Sequence, residues 1–385
     1  MRNKIEIHGY CEEQFEPVKE AFAKNFEEDL DLGASLAATI DGKFVIDIWA
    51  GYADAAQTRP WEQDTIVNVY STTKVMTTLC VLMLVDKGLI DLDAPVAKYW
   101  PEFAQEGKEK LPVRFILSHT SGLPGFDQIV QPKTLCDWDR IINILAAQKS
   151  WWEPGTKSGY HAATFGFLLG EVVRRVTGKS IGTFFRDEVA IPLKADFYIG
   201  LPKEHDSRVA ELIPPTPIDP SLMGEIDPQS ISVRVFGNPA LDDKLVAESL
   251  TREWRAAEIP ASNGHGNARS IARIASVLAC GGEIDGLRLL SSQMIEKAIE
   301  EQSYDTDLVY TFPVRYGLGF GLVSKDRPIS PNPRAFYWGG WGGSHVTMDL
   351  DAKLSWAFAM NKLMVTLLGD PRTERIREAL YKALQ

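Results

Sequence analysis

Histidine and cysteine are scarce in this chain, with six and four copies in 385 residues. Cys11, Cys80, Cys136 and Cys280 are widely spaced and form no C-x-x-C pair. That pattern fits reduced thiols better than a disulfide frame or a zinc site. The histidines form no H-x-x-x-H or H-E-x-x-H motif, so neither a metal nor another cofactor is expected. No apolar run reaches the length of a bilayer, and no membrane partner is expected. Met1-Arg2-Asn3-Lys4-Ile5-Glu6 lacks the apolar core of a secretion signal, so a cytoplasmic address is expected. Basic residues are in deficit: 41 Lys and Arg against 52 Asp and Glu, a formal net charge of −11. That balance argues against nucleic acid or an anionic membrane as the main partner.

Apolar residues are plentiful, at 45% of the chain, enough for one large domain or two interleaved ones. Residues 13–30 read as an amphipathic helix. Residues 34–40 and 43–50 read as two strands joined by Asp41-Gly42, a two-residue hairpin signal. Helical patterns follow at 75–87, 138–148, 162–177 and 268–280. Four strands are expected at 316–323, 334–340, 344–350 and 353–361, and a closing helix at 374–384. Strands at both ends with helices between predict an α/β (α+β) fold, with one antiparallel sheet built from both termini. The expected division is a sheet domain of residues 1–65 and 290–385 and a mainly helical domain of 66–289. A site would lie in the cleft between them. Residues 213–238, rich in Pro, Ser and Asp, read as a lid or as an interface of a homo-oligomer.

Ser71-Thr72-Thr73-Lys74 opens the 75–87 helix. Three residues is just under one turn, so the Ser71 hydroxyl and the Lys74 amine share a face. A serine needs a base to become a nucleophile, and a lysine can act as one where a dry site keeps it neutral. The helix is apolar on nearly every side, which places it at a domain centre, and Gly88 ends it. An N-cap serine with a solvated lysine explains the four residues alone equally well.

Two further segments bear on this one. Pro154-Gly155-Thr156-Lys157-Ser158-Gly159-Tyr160 is a turn-rich loop whose tyrosine can face a cleft. Beside a lysine ammonium the tyrosine pKa would fall, which suits a proton relay. The alternative is an aromatic cap on the core. Trp338-Gly339-Gly340-Trp341-Gly342-Gly343-Ser344 puts four glycines at a strand end, where something approaches the backbone closely. A substrate carbonyl is one candidate, held by the N–H groups of Ser71 and Trp341 as an oxyanion hole. A strand bend is the other.

Together these segments resemble the serine β-lactamase and penicillin-binding protein superfamily, whose nucleophile motif is S-x-x-K. Ser118-His119-Thr120-Ser121-Gly122-Leu123-Pro124-Gly125 and Tyr316-Gly317-Leu318-Gly319-Phe320 extend the likeness over most of the chain. It is most similar to the family VIII carboxylesterases of the class C β-lactamase-like fold. The resemblance implies Ser71 as nucleophile, Lys74 as its partner, Tyr160 as third catalytic residue and Trp341 as second oxyanion donor. It implies a small-molecule ester substrate, with Trp338, Gly339 and Gly340 beside it where β-lactamases carry Lys-Thr-Gly. Two departures stand out. Tyr160-His161-Ala162 lacks the Asn two residues after the tyrosine, and Trp338 replaces lysine. Together they make the site less polar and less cationic, favouring neutral, short-chain esters and leaving only weak β-lactam hydrolysis.

Phe126 and Trp152 are expected to line an acyl or alcohol pocket, with Trp138, Trp151 and Trp254 as further candidates. His119 reads as a loop residue, and His161 and His345 flank site segments without an assigned role. Gly178-Lys179-Ser180-Ile181-Gly182 matches the G-x-S-x-G elbow of another hydrolase fold. Here a helix precedes it, so Gly178 reads as a C-cap and Ser180 as an N-cap. The same site would serve a β-lactamase, a D-amino-acid peptidase or an acyltransferase. A silent binding protein is the reading from a different class.

Overall fold

The computed structural model of the chain describes residues 5–216, 227–365 and 369–385. Part of the 213–238 excursion, residues 217–226, therefore lies outside the described residues. Among them, nine strands form one antiparallel sheet. Its spatial order is Ile7–Cys11, Lys43–Gly51, Gly33–Ile40, Leu354–Met360, His345–Asp349, Ala335–Gly339, Gly321–Leu322, Pro313–Tyr316 and Ser303–Thr306. The two ends of the chain meet where Leu354–Met360 pairs with Gly33–Ile40, Ala357 opposite Ala37. The fold is thus the mixed, β-lactamase-like α/β arrangement, with a sheet shared by both termini.

Three differences from the expected elements have physical causes. The 316–323 segment is a hairpin, because Gly319 adopts φ +82° and presses its backbone onto Thr78 of the Thr73–Asp86 helix. A Cβ at Gly319 would lie 2.3 Å from Thr78 Oγ1. The two edge strands, Ile7–Cys11 and Ser303–Thr306, are mostly exposed and carry no apolar alternation to read. The Ala268–Ala279 helix lies on the sheet, with Ser355 Oγ donating to the Ala272 carbonyl and Ala268 N–H donating to Ser35 Oγ. The first and last helices, Glu16–Glu27 and Pro371–Ala383, also cover the sheet. Phe22 meets Phe358 at 6.4 Å, and Arg375 pairs with Glu28 at 2.6 Å.

The Thr73–Asp86 helix is buried from Thr73 through Leu84. A helix apolar on all sides finds partners on all sides, and this one becomes the axis of the helical part. Gly88 stops it at φ +69°. No helix of the described residues is long and apolar enough to cross a membrane.

Candidate active site

Ser71 lies in a 3₁₀ turn, Tyr70–Thr72, directly before this helix. Tyr70 is held at φ +42°, a left-handed conformation costly for a residue with a side chain. Packing sustains it. Thr73 Oγ1 donates to the Tyr70 carbonyl at 2.5 Å, and the Tyr70 ring meets Trp341 edge-on at 5.1 Å. The result is an elbow on which Ser71 is half-buried while its neighbours Tyr70, Thr72, Thr73 and Lys74 are buried.

Lys74 Nζ lies 3.0 Å from Ser71 Oγ and 2.8 Å from the Tyr160 hydroxyl. It also lies 2.7 Å from the Ala162 carbonyl and 3.1 Å from that of Ala261. Tyr160 donates to Ser71 Oγ at 2.6 Å, closing a triangle. Burial alone pushes the Lys74 pKa well below the usual lysine range. A neutral amine has two N–H groups and one lone pair. Because Tyr160 gives its proton to Ser71, its oxygen accepts from Nζ; with the other N–H on the Ala162 carbonyl, the lone pair faces the Ser71 hydroxyl. Tyr160 behaves opposite to expectation: burial pushes its pKa up, outweighing the Ser71 hydrogen bond. The expected fall required an ammonium beside the ring, and burial disfavours that charged form of Lys74.

Ser344 fixes Ser71 against the Trp338–Ser344 segment. Its hydroxyl donates to the Val69 carbonyl at 2.7 Å, which leaves Thr72 as donor in the 2.9 Å contact between Thr72 and Ser344. The N–H groups of Ser71 and Trp341 have no hydrogen-bond partner among the described residues. The glycines of the segment are explained mainly by the protein's own atoms rather than by substrate. A Cβ would lie 2.2 Å from the Val69 carbonyl at Gly340, 2.3 Å from Leu363 at Gly342 and 2.2 Å from Arg372 at Gly343. Only at Gly339 is the nearest atom as far as 3.3 Å.

A cavity of about 60 Å³ opens onto Ser71, Tyr160, Gly339 and Trp341. Its far wall is apolar: Leu135, Val235, Phe236, Leu241, Leu245 and Trp254. Of the expected wall residues, Trp254 is present, while Phe126 and Trp152 do not line the cavity. Phe126 is buried in the core, and the Trp152 ring covers Gly159 while its N–H donates to the Lys157 carbonyl. Trp338 and Gly340 stand behind the wall rather than in it, with the Trp338 ring 5.8 Å from that of Tyr160. Trp138 donates to Glu171 and Trp151 to Asp127, both away from Ser71. A larger polar cavity of about 250 Å³ lies on the other side of the Gly339–Ser344 backbone, and Ser71 does not reach it.

Asp307 was not legible as a site residue. It is buried, and its carboxylate accepts from the backbone N–H groups of Tyr160, Val309 and Tyr310 and from the Tyr316 hydroxyl. It thereby holds the Tyr160 loop and stacks Tyr310 on the Tyr160 ring at 4.6 Å. The histidines stay outside the chemistry. His119 Nδ1 accepts from the His161 backbone N–H at 3.1 Å, and burial keeps its pKa well below the usual value. His161 Nδ1 donates to the Gly159 carbonyl, so its Nε2 accepts from Ser121 at 2.6 Å. That Ser–His pair has a hydrolytic look, but Ser121 is fully buried. His345 bonds Thr347. Ser180 caps the Ile181–Phe185 helix and bonds Glu258, as an N-cap should.

The described residues contain no group of His, Cys, Asp and Glu side chains suited to a metal ion. Comparison with known proteins gives the class. The Beta-lactamase family model matches residues 22–381. The chain is 35% identical over 373 residues to the esterase/beta-lactamase LipL of Mycobacterium tuberculosis, covering 94% of this chain and 84% of LipL. It superposes on a family VIII carboxylesterase with a TM-score of 0.90 and 42% identity, over 98% of this chain and 100% of the other. A penicillin-binding protein homologue from Caulobacter crescentus gives 0.91 and 38%, over 98% and 100%. These matches define a serine hydrolase of the carboxylesterase type. The chain belongs to the Beta-lactamase family.

Proposed function

We propose that the protein hydrolyses neutral, short-chain carboxylic esters through an acyl-enzyme on Ser71. The observation that carries this reading is the Lys74 amine, 3.0 Å from Ser71 Oγ, with its pKa pushed well down by burial. Its lone pair takes the Ser71 proton as Oγ bonds the ester carbonyl carbon. The carbonyl oxygen becomes an oxyanion received by the N–H groups of Ser71 and Trp341. As the carbonyl re-forms, the bond to the alcohol oxygen breaks. Tyr160 gives its proton to that oxygen and takes one from Lys74, which its raised pKa favours. Water then attacks the acyl-enzyme by the same relay in reverse. The small, apolar cavity matches a compact acyl or alcohol group, beside Gly339, Trp341 and Trp254.

Weak β-lactam hydrolysis is the second reading, favoured by the double name of the mycobacterial relative. The described cavity wall offers no cation to hold a β-lactam carboxylate, so that turnover is slow. A cytoplasmic setting accords with four free thiols, and the sheet-plus-helical division of the chain and a homo-oligomeric state complete the proposal.

A serine-trapping phosphonate tests the reading. One adduct on the Ser71 peptide is expected, together with losses of about 10²–10⁴-fold in ester turnover for Lys74→Met and Tyr160→Phe. An adduct elsewhere, or near-normal turnover in Lys74→Met, rejects it.

A further inference from the structure

Arg372 stands at the start of the Pro371–Ala383 helix, far from Ser71 in sequence, and its side chain is fully buried. All five of its N–H groups are engaged. Nε donates to Asp370 Oδ1 at 3.0 Å. One terminal nitrogen donates to Asp31 Oδ1 and to the Lys362 carbonyl, each at 2.8 Å. The other donates to Asp370 Oδ2 at 2.7 Å and to the Gly342 carbonyl at 2.5 Å. That last bond reaches the Gly342–Gly343 peptide, whose N–H end in turn holds the Gly340–Trp341 peptide. On the other side of Trp341, Gly340 N–H donates to the Ser344 carbonyl at 2.8 Å and Gly343 N–H donates to the Gly340 carbonyl at 3.1 Å.

The segment is moulded to the guanidinium. Gly343 takes φ +124°, and a Cβ there would lie 2.2 Å from Arg372 and 2.3 Å from Asp370. Gly342 takes φ +88°, and its carbonyl also accepts from Met364 N–H at 3.1 Å. We infer that Arg372 is a positioning residue for the oxyanion hole: through the Gly342 carbonyl it fixes the direction of the Trp341 N–H, and Asp31 and Asp370 fix Arg372. The inference rests on the reading of Trp341 as an oxyanion donor. A planar fork with five fixed donors suits this task, and a lysine cannot reproduce it. An oxyanion donor works only if aimed before the reaction begins.

The test compares wild type, Arg372→Lys and Gly343→Ala on an activated ester and on its thionoester, in which sulfur replaces the carbonyl oxygen. Sulfur is a weak acceptor and gains little from the hole. Turnover is expressed per phosphonate-titrated Ser71, so a smaller folded fraction does not count. The expected result is a loss of about 10²-fold in kcat on the oxygen ester with KM nearly held, and a collapsed oxygen-to-sulfur rate ratio. Gly343→Ala keeps the arginine and displaces the loop, so it reports even if Arg372→Lys does not fold. Unchanged turnover per titrated site, or equal losses on both esters, overturns the inference and leaves Arg372 as a brace. If wild-type Ser71 takes no phosphonate, the underlying ester-hydrolysis reading fails instead.

Discussion

Lys74 and Arg372 are both buried, and their surroundings push their pKa values in opposite directions. Lys74 has two carbonyls and two hydroxyls around it and no carboxylate bonded to it among the described residues, and burial pushes its pKa well down. Arg372 sits between Asp31 and Asp370 with its proton held, its pKa pushed above the usual arginine value. A lysine can shed its charge, whereas a guanidinium keeps it and must be paired. The first arrangement makes a base. The second makes a fixed point on which a loop can rest.

The contrast is sharpest in stability. Lys74→Met should raise the melting temperature near neutral pH while abolishing ester turnover. The folded lysine pKa lies below its unfolded value, so the unfolded chain holds the extra proton below about pH 10.4. Wild-type stability therefore gains as pH rises toward that value, and the gap to Lys74→Met should narrow; thermal melts from pH 6 to 10 check this. Arg372→Met should do the reverse and lose about 3–5 kcal/mol, because two carboxylates are left buried and unpaired. Denaturant unfolding of both variants would break the comparison if the shifts had the same sign.

Asp31 gives a smaller effect. Burial pushes its carboxyl up to about 6, against the pull of Arg372 and Lys362 and with that of Asp370. A raised folded-state pKa means a contribution to stability present below about pH 3.9 and lost as pH climbs through about 6. Asp31→Asn should flatten the stability profile across that window, as unfolding at successive pH values would show. Activity should fall for a separate reason as pH drops through the lowered Lys74 pKa, and that limb should persist in Asp31→Asn. The smallest expected change is in substrate choice. Phe236→Ala removes part of the cavity wall and should shift the preferred acyl or alcohol length upward by a few carbons with kcat on the shortest ester little altered; an ester series checks it.

The catalytic candidates were readable because their signals are local. S-x-x-K spacing, the turn-rich approach to Tyr160 and the glycines after Trp338 all lie within single short segments. The wall residues were not readable by type. Trp254 faces the cavity while Trp138, Trp151, Trp152 and Phe126 do not, although all are large and apolar. Nothing in an indole's own neighbourhood says which cavity it will meet. The glycines were located correctly but their main reason was not: their close neighbours are Val69, Leu363 and Arg372, which only folding brings near.

By itself the sequence determined the sheet from both termini, the buried axis helix and the serine one turn ahead of a lysine. Those follow from periodicity, hairpin chemistry and spacing along a few residues. Only the tertiary structure decided the directions in which the Lys74 and Tyr160 pKa values move, the part played by Asp307 and the seating of Trp341. Each depends on partners remote in sequence: Tyr160 is 86 residues from Lys74, and Asp31 is 341 from Arg372. Burial and pairing are properties of a packed neighbourhood, and a pKa or an aimed N–H exists only once that neighbourhood has closed.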